Sequence, residues 1–173
     1  MISHWNKEQK DYYDSTADEY SEAFQQNNPY FQFTFEHYLR AIDPQAEERI
    51  LELGSSGGRS TFPLLEAGCR VTGVDISAKS LQYLADRARG HSRRSDLTLL
   101  EDDAGALSKL TERNFDAVVG AHILHHVEDI SKVAKRAMEF LRRGGASGFH
   151  GAESMESSVG RAGYYRSEPQ LES

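Results

Sequence analysis

Residues Arg49 to Gly58 read RILELGSSGG. Arg49 to Leu53 is a short apolar run that stops at a glycine, which predicts a buried strand. Gly54, Gly57 and Gly58 then predict a turn in which the backbone approaches a ligand closely and leaves amide N–H groups free at a helix start. Strand, glycine turn and helix in that order imply a nucleotide or nucleoside ligand. The helix expected from Ser60 to Ala67 closes at Gly68 and tolerates Pro63 because that residue lies in its first turn.

Further along, RVTGVD (Arg70 to Asp75) predicts a second strand, and Ser77 caps a helix with Leu81, Leu84, Ala85 and Ala88 on one face. Leu97 to Leu100 and Phe115 to Gly120 supply two more strands. Ile130, Val133, Ala134, Ala137, Met138 and Leu141 follow at helical spacing, with Asp129 as cap and Gly144 as stop. Strands alternating with helices imply parallel pairing, so the expected fold is an α/β, Rossmann-like, doubly wound parallel sheet with helices on both faces. Upstream, PYFQFTFEHYLRAI (Pro29 to Ile42) predicts a covering helix with aromatics on more than one face. DYYDSTADEY predicts a shorter helical segment with Asp14, Ser15 or Thr16 as N-cap. Residues 1–48 therefore form an expected helical cap segment, 49–145 the core, and 146–173 an irregular tail.

Ligands of such sheets sit beyond the carboxyl ends of the strands. After the second strand stands Asp75, about 20 residues past Gly54, where a carboxylate accepts hydrogen bonds from both hydroxyls of a ribose. The third strand ends in Glu101-Asp102-Asp103-Ala104, an acidic turn suited to the exocyclic amine of a base. A nicotinamide-dependent dehydrogenase, the rival reading, needs glycines at 54, 56 and 59, where the chain has Gly54, Ser56 and Arg59.

With these motifs together, the stretch from Tyr12 to Gly145 resembles the class I S-adenosylmethionine-dependent methyltransferases of the small-molecule type (type 11/25-like), which include ubiquinone-biosynthesis enzymes. The resemblance implies S-adenosyl-L-methionine as cofactor and in-line methyl transfer to a small-molecule acceptor. In E-L-G-S-S-G-G, Glu52, Gly54 and Gly58 match the family's first motif with Ser55 beside them, and Ser56 replaces its middle glycine. Asp75, followed by Ile76, matches the ribose-binding carboxylate, and Asp103, followed by Ala104, matches the contact to the adenine amine. Ala121 and His122 match residues flanking the cofactor, and Tyr20 is the better candidate for a tyrosine that closes over it.

His122, His125 and His126 are candidate catalytic residues: a histidine here serves as a general base, as part of a metal site, or only in loop packing. No CxxC, HExxH or carboxylate cluster accompanies them, so no metal is expected. His91-Ser92-Arg93-Arg94 reads as a solvated helix-end loop. The 173 residues carry a net charge of -7 and a 38% hydrophobic fraction, which argues against charge-driven binding to nucleic acid or membrane. The mean hydropathy is -0.63. The single cysteine, Cys69, and the polar start MISHWNKEQK point to the cytoplasm.

The tail from Ala146 holds no apolar run of the kind a central strand needs, so the C-terminal strands of the fold are expected to be missing and the fourth strand to lack a neighbour. Read one nucleotide later, Gly145 to Phe149 permits an apolar string such as ALLVF, which suggests a frameshifted end. On that reading the chain is an inactive fragment that at most binds the cofactor.

Overall fold

The computed structural model describes residues 3–25, 29–150 and 165–166. Helices α1 (His4–Gln25) and α2 (Pro29–Ile42) precede β1 (Arg49–Leu53), α3 (Thr61–Glu66), β2 (Arg70–Asp75), α4 (Ala78–Ala88), β3 (Leu97–Glu101) and β4 (Phe115–Ala121). After α5 (Ile130–Met138) come β5 (Leu141–His150) and β6 (Tyr165–Arg166). The sheet order is β3-β2-β1-β4-β5-β6, with β1 to β5 parallel and β6 antiparallel to β5. This is the doubly wound sheet that the strand and helix alternation implies.

Residues alternate sides along each strand, so the core divides into two layers. Ile50, Val71 and Val119 face α2, α3 and α4 through Tyr38, Ile42, Leu64, Leu65, Leu84 and Ala88. Leu51, Leu53, Val74 and Val118 face the opposite layer, closed by Leu107, Val133, Ala137 and Phe140. Each fully buried Leu or Ile contributes roughly 1.5–3 kcal/mol. The alternation also carries Glu52 into the face of Ile50, where it is wholly buried.

Two caps form as expected: Ser77 accepts from the Ser80 N–H, and Asp129 accepts from the Lys132 N–H. Asp14, Ser15 and Thr16 do not start a helix, because α1 runs unbroken through them. Ser15 and Thr16 instead turn their hydroxyls back to the Tyr12 carbonyl. Helix α5 is shorter than its apolar pattern predicts. Only Val133 and Ala137 are buried; Ile130 and Met138 are 53% and 59% exposed, and Leu141 already belongs to β5.

The expected irregular tail begins too early. Strand β5 continues through Gly145 to His150 and pairs along β4, with Ala146 opposite Ala117 and His150 opposite Ala121. The fourth strand therefore has its neighbour. Parallel pairing is carried by backbone groups, so a run of Gly, Ala and Ser serves once β4 presents its free edge. Gly144 does not stop a helix; at a φ of +78° it sits where the register shifts between Phe115 and Ala117, as in a bulge. The expectation for 151–164 and 167–173 lies outside the described residues.

Candidate functional site

Strands β1, β2, β3 and β4 all deliver their carboxyl ends to one cavity of about 520 Å³, the size range of small-molecule sites. Its floor is the glycine turn. Gly54, at a φ of +73°, has the Ile123 side chain 3.0 Å from where a Cβ would stand, and Gly58, at +87°, has Leu84 within 2.4 Å of that position. Both positions require glycine twice over, by conformation and by space. Ser56 keeps the backbone of the glycine it replaces, with a φ of +41° that strains a serine by about 1 kcal/mol.

Four of the turn's amides are already bonded within the protein. Gly54 N–H and Ser55 N–H donate to the Val74 carbonyl at 2.8 and 3.2 Å, and Gly58 N–H donates to Ser55 at 2.9 Å. Ser56 N–H donates to Asp75 Oδ2 at 2.9 Å. The amides of Gly54, Ser55 and Ser56 tie β1 to β2, that of Gly58 closes the turn on itself, and the glycines serve close approach.

Asp75 lines the cavity and accepts the Ser56 N–H on Oδ2 and the Ser77 N–H on Oδ1, with the Ile76 N–H also bonded to it, and the lone pairs that remain leave acceptor capacity for a ligand. Burial raises its pKa above the usual carboxylate range, against these N–H bonds. The acidic turn after β3 divides into three roles. Glu101 takes the Lys10 ammonium at 2.7 Å. Asp102 caps its own loop, accepting from Asp103 N–H, Ser108 Oγ and Lys109 N–H. Asp103 stands on the cavity wall.

Ser55, Ile76, Ala104, Ala121 and His122 also line the cavity. Ser55 Oγ is buried there with no hydrogen-bond partner among the described residues. His122 has a φ of +56°, left-handed for a non-glycine residue. Glu52 is not on the wall. It lies beneath the turn, where Thr61 donates its hydroxyl to Glu52 Oε2 at 2.6 Å, and burial, with the Asp75 charge adding, pushes its pKa to about 7.

The sequence reading missed one whole wall. Asn6, Gln9 and Tyr13 reach the cavity from α1. Asn6 Nδ2 donates to Asp103 at 2.7 Å, Lys10 donates to the Ile76 carbonyl at 3.1 Å, and Trp5 Nε1 donates to the His126 carbonyl at 3.1 Å. Asp14 accepts from Ser77 Oγ at 2.7 Å and from Lys79 N–H, so it caps α4 rather than its own helix. A polar stripe at helical spacing, Asn6, Gln9, Lys10, Tyr13 and Asp14, was the available signal. Tyr20 lies on α1, but its side chain is outside the described residues.

The histidines separate. His125 is exposed, while His126 lines the cavity with both ring nitrogens engaged. Gln9 Oε1 only accepts, so His126 Nδ1 donates to it at 3.1 Å and Nε2 accepts the Tyr13 hydroxyl at 2.8 Å. Burial, with His125 adjacent, pushes His126 down to about 4, and the ring is neutral. The unperturbed value that recommended it as a base does not hold here. Among the described residues no group of three His, Cys, Asp or Glu side chains is arranged to hold a metal ion. Nor is any of their helices long and apolar enough to cross a membrane.

Residues 51–149 match the methyltransferase domain family, a span that includes β5 through Phe149. The ubiquinone biosynthesis O-methyltransferase of Chelativorans sp. (strain BNC1) is 32% identical over 108 residues, covering 61% of this chain and 41% of that protein. The ubiquinone/menaquinone biosynthesis C-methyltransferase of Zymomonas mobilis subsp. mobilis is 33% identical over 108 residues, 62% of this chain and 44% of that one. The chain thus spans less than half the length of these relatives. The DhpI-SAM-HEP complex superposes with a TM-score of 0.68 at 25% identity over 86% of this chain and 67% of that one. With the family match spanning more than half of its length and the strand ends that build the cavity, the chain belongs to the methyltransferase domain family and has the fold of class I S-adenosylmethionine-dependent methyltransferases.

Proposed function

We propose that the chain binds S-adenosyl-L-methionine in the strand-end cavity and transfers its methyl group to a small-molecule acceptor, in the cytoplasm and with no nucleic acid or membrane as partner. One observation carries the reading: the Gly54–Gly58 turn, Asp75 and Asp103 stand on successive strand ends around one cavity. The residues fit such a group. Asp75 keeps acceptor capacity for a ribose, Ser55 Oγ is a buried polar atom with no hydrogen-bond partner among the described residues, and Gly54 and Gly58 let the turn pack tightly against Ile123 and Leu84 beneath the cavity. Relatives named for ubiquinone biosynthesis favour a small-molecule acceptor.

When bound, the cofactor supplies a methyl group on a sulfonium, open to in-line attack by an acceptor atom. The protein's own residues align and enclose. Ser56 and Ser77 N–H groups hold the Asp75 carboxylate at the ribose position. Asp103 accepts the base amine, and Ile76, Ala104 and Ala121 exclude water along the wall. Glu52 braces the turn from below through Thr61 and touches no ligand. Of the three histidines, His126 is unsuited to proton acceptance, since it has a pKa of about 4 and is committed to Gln9 and Tyr13, while His122 lines the cavity.

Calorimetry of the full chain with S-adenosylhomocysteine tests the reading. One-site binding is expected, weakened about tenfold or more in Asp75→Asn, because a carboxylate acceptor is replaced by an amide. No heat from folded protein at high ligand concentration overturns it.

A further inference from the structure

Asp103 stands on the cavity wall after β3, and α1 brings the amide of Asn6 against it. Asp103 Oδ1 accepts the Gly105 N–H at 2.8 Å and Oδ2 accepts Asn6 Nδ2 at 2.7 Å. A carboxylate only accepts, so the amide nitrogen of Asn6 must face it. Both residues line the cavity. Held from both sides, Asp103 has no freedom to swing.

We propose that Asn6 selects the nucleobase, fixing Asp103 so that its remaining lone pairs accept the amine of a 6-aminopurine and repel the oxygen of a 6-oxopurine. The inference rests on the cofactor reading above. The two bases differ at adjacent ring positions. A 6-aminopurine offers N–H donors on its exocyclic nitrogen, whereas a 6-oxopurine offers an acceptor there and moves its donor to the neighbouring ring nitrogen. A carboxylate free to rotate would follow that donor and bind either base. One clamped between Gly105 and Asn6 stays opposite position 6, and an acceptor facing it is left unpaired and repelled. Asn6 is thus a positioning residue that acts through Asp103.

The test compares S-adenosylhomocysteine with S-inosylhomocysteine by calorimetry on the full chain, on Asn6→Ala and on Trp5→Phe. The parent should prefer the adenosyl ligand, and Asn6→Ala should lower that preference about tenfold. Trp5→Phe removes a different bond that docks α1, to the His126 carbonyl, and should weaken both ligands alike with the preference intact. Equal weakening of both ligands in Asn6→Ala means that Asn6 only docks the helix and overturns the inference. A parent that binds the adenosyl ligand without preferring it overturns the inference alone, whereas a folded parent that binds neither overturns the cofactor reading and this inference with it.

Discussion

Glu52 and His126 are displaced by burial in opposite senses, and their signs set a pH signature. The Glu52 carboxyl has a pKa of about 7 in the folded chain against an ordinary 4.5, so the folded state holds an extra proton between those values. Its contribution to stability is full below pH 4.5 and is lost as pH rises to about 7. His126, at about 4 against 6.5, contributes fully above pH 6.5 and loses that contribution as pH falls toward 4. Between pH 4.5 and 6.5 the two slopes oppose each other. Glu52→Gln should remove one of them: its unfolding free energy relative to the parent should climb between pH 4.5 and 7 by at most about 3 kcal/mol, then level off. Chemical denaturation across pH measures this, and a difference that is flat with pH would show that Glu52 is ionised throughout. Glu52 and Asp75 were legible as candidates from their spacing to the glycines, but of the two only Asp75 stands on the cavity wall. The displaced pKa of Glu52 was not legible, because it depends on Ile50 and α2 to α4 burying that face of the strand.

Helix α1 is the element that completes the cavity, and its attachment over residues 5–14 is polar. Lys10 is the centre of it, bonding Glu101, Asp14 and the Ile76 carbonyl. Burial works against its ammonium, but the bonds to Glu101 and Asp14 outweigh that and hold it above the usual lysine range. Asp14 is held below its usual range against burial, by Ser77, Lys79 and Lys10. These ions remain partly exposed, so Lys10→Met should cost less than about 1 kcal/mol of global stability. The local effect should be larger. Hydrogen exchange of α1 amides should quicken while β1 to β4 amides keep their protection, because local opening draws on the weakest attachments. Uniform acceleration over both would contradict the helix's separate docking. The pattern of this helix was visible as polar residues at helical spacing. What it docks against was not, since Asn6 and Asp103 lie far apart in the chain.

At the scale of the molecule the decisive element is β5. It covers the β4 edge with a run from Gly145 to His150 that lacks the aliphatic side chains of a central strand, and beyond it, among the described residues, β6 adds the Ala146–Arg166 and Ser147–Tyr165 pairs. A chain ended after His150 should keep its thermal transition within about 5 °C of the parent, because the described β5–β6 pairs account for a few backbone hydrogen bonds. A chain ended after Phe140 leaves β4 unpaired and should aggregate on size-exclusion chromatography. Equal behaviour of the two chains would show that β5 does not close the sheet. The amino-acid sequence by itself determined the strand and helix alternation, the glycine turn and the acidic strand ends, because periodicity, caps and short spacings act between near neighbours. Only the tertiary structure decided that α1 walls the cavity, that three of the turn's amides are spent on β2, and that a run of small residues serves as the fifth strand. Those outcomes depend on which backbone edges and polar atoms meet across the fold, and pairing of that kind leaves little trace in side-chain pattern.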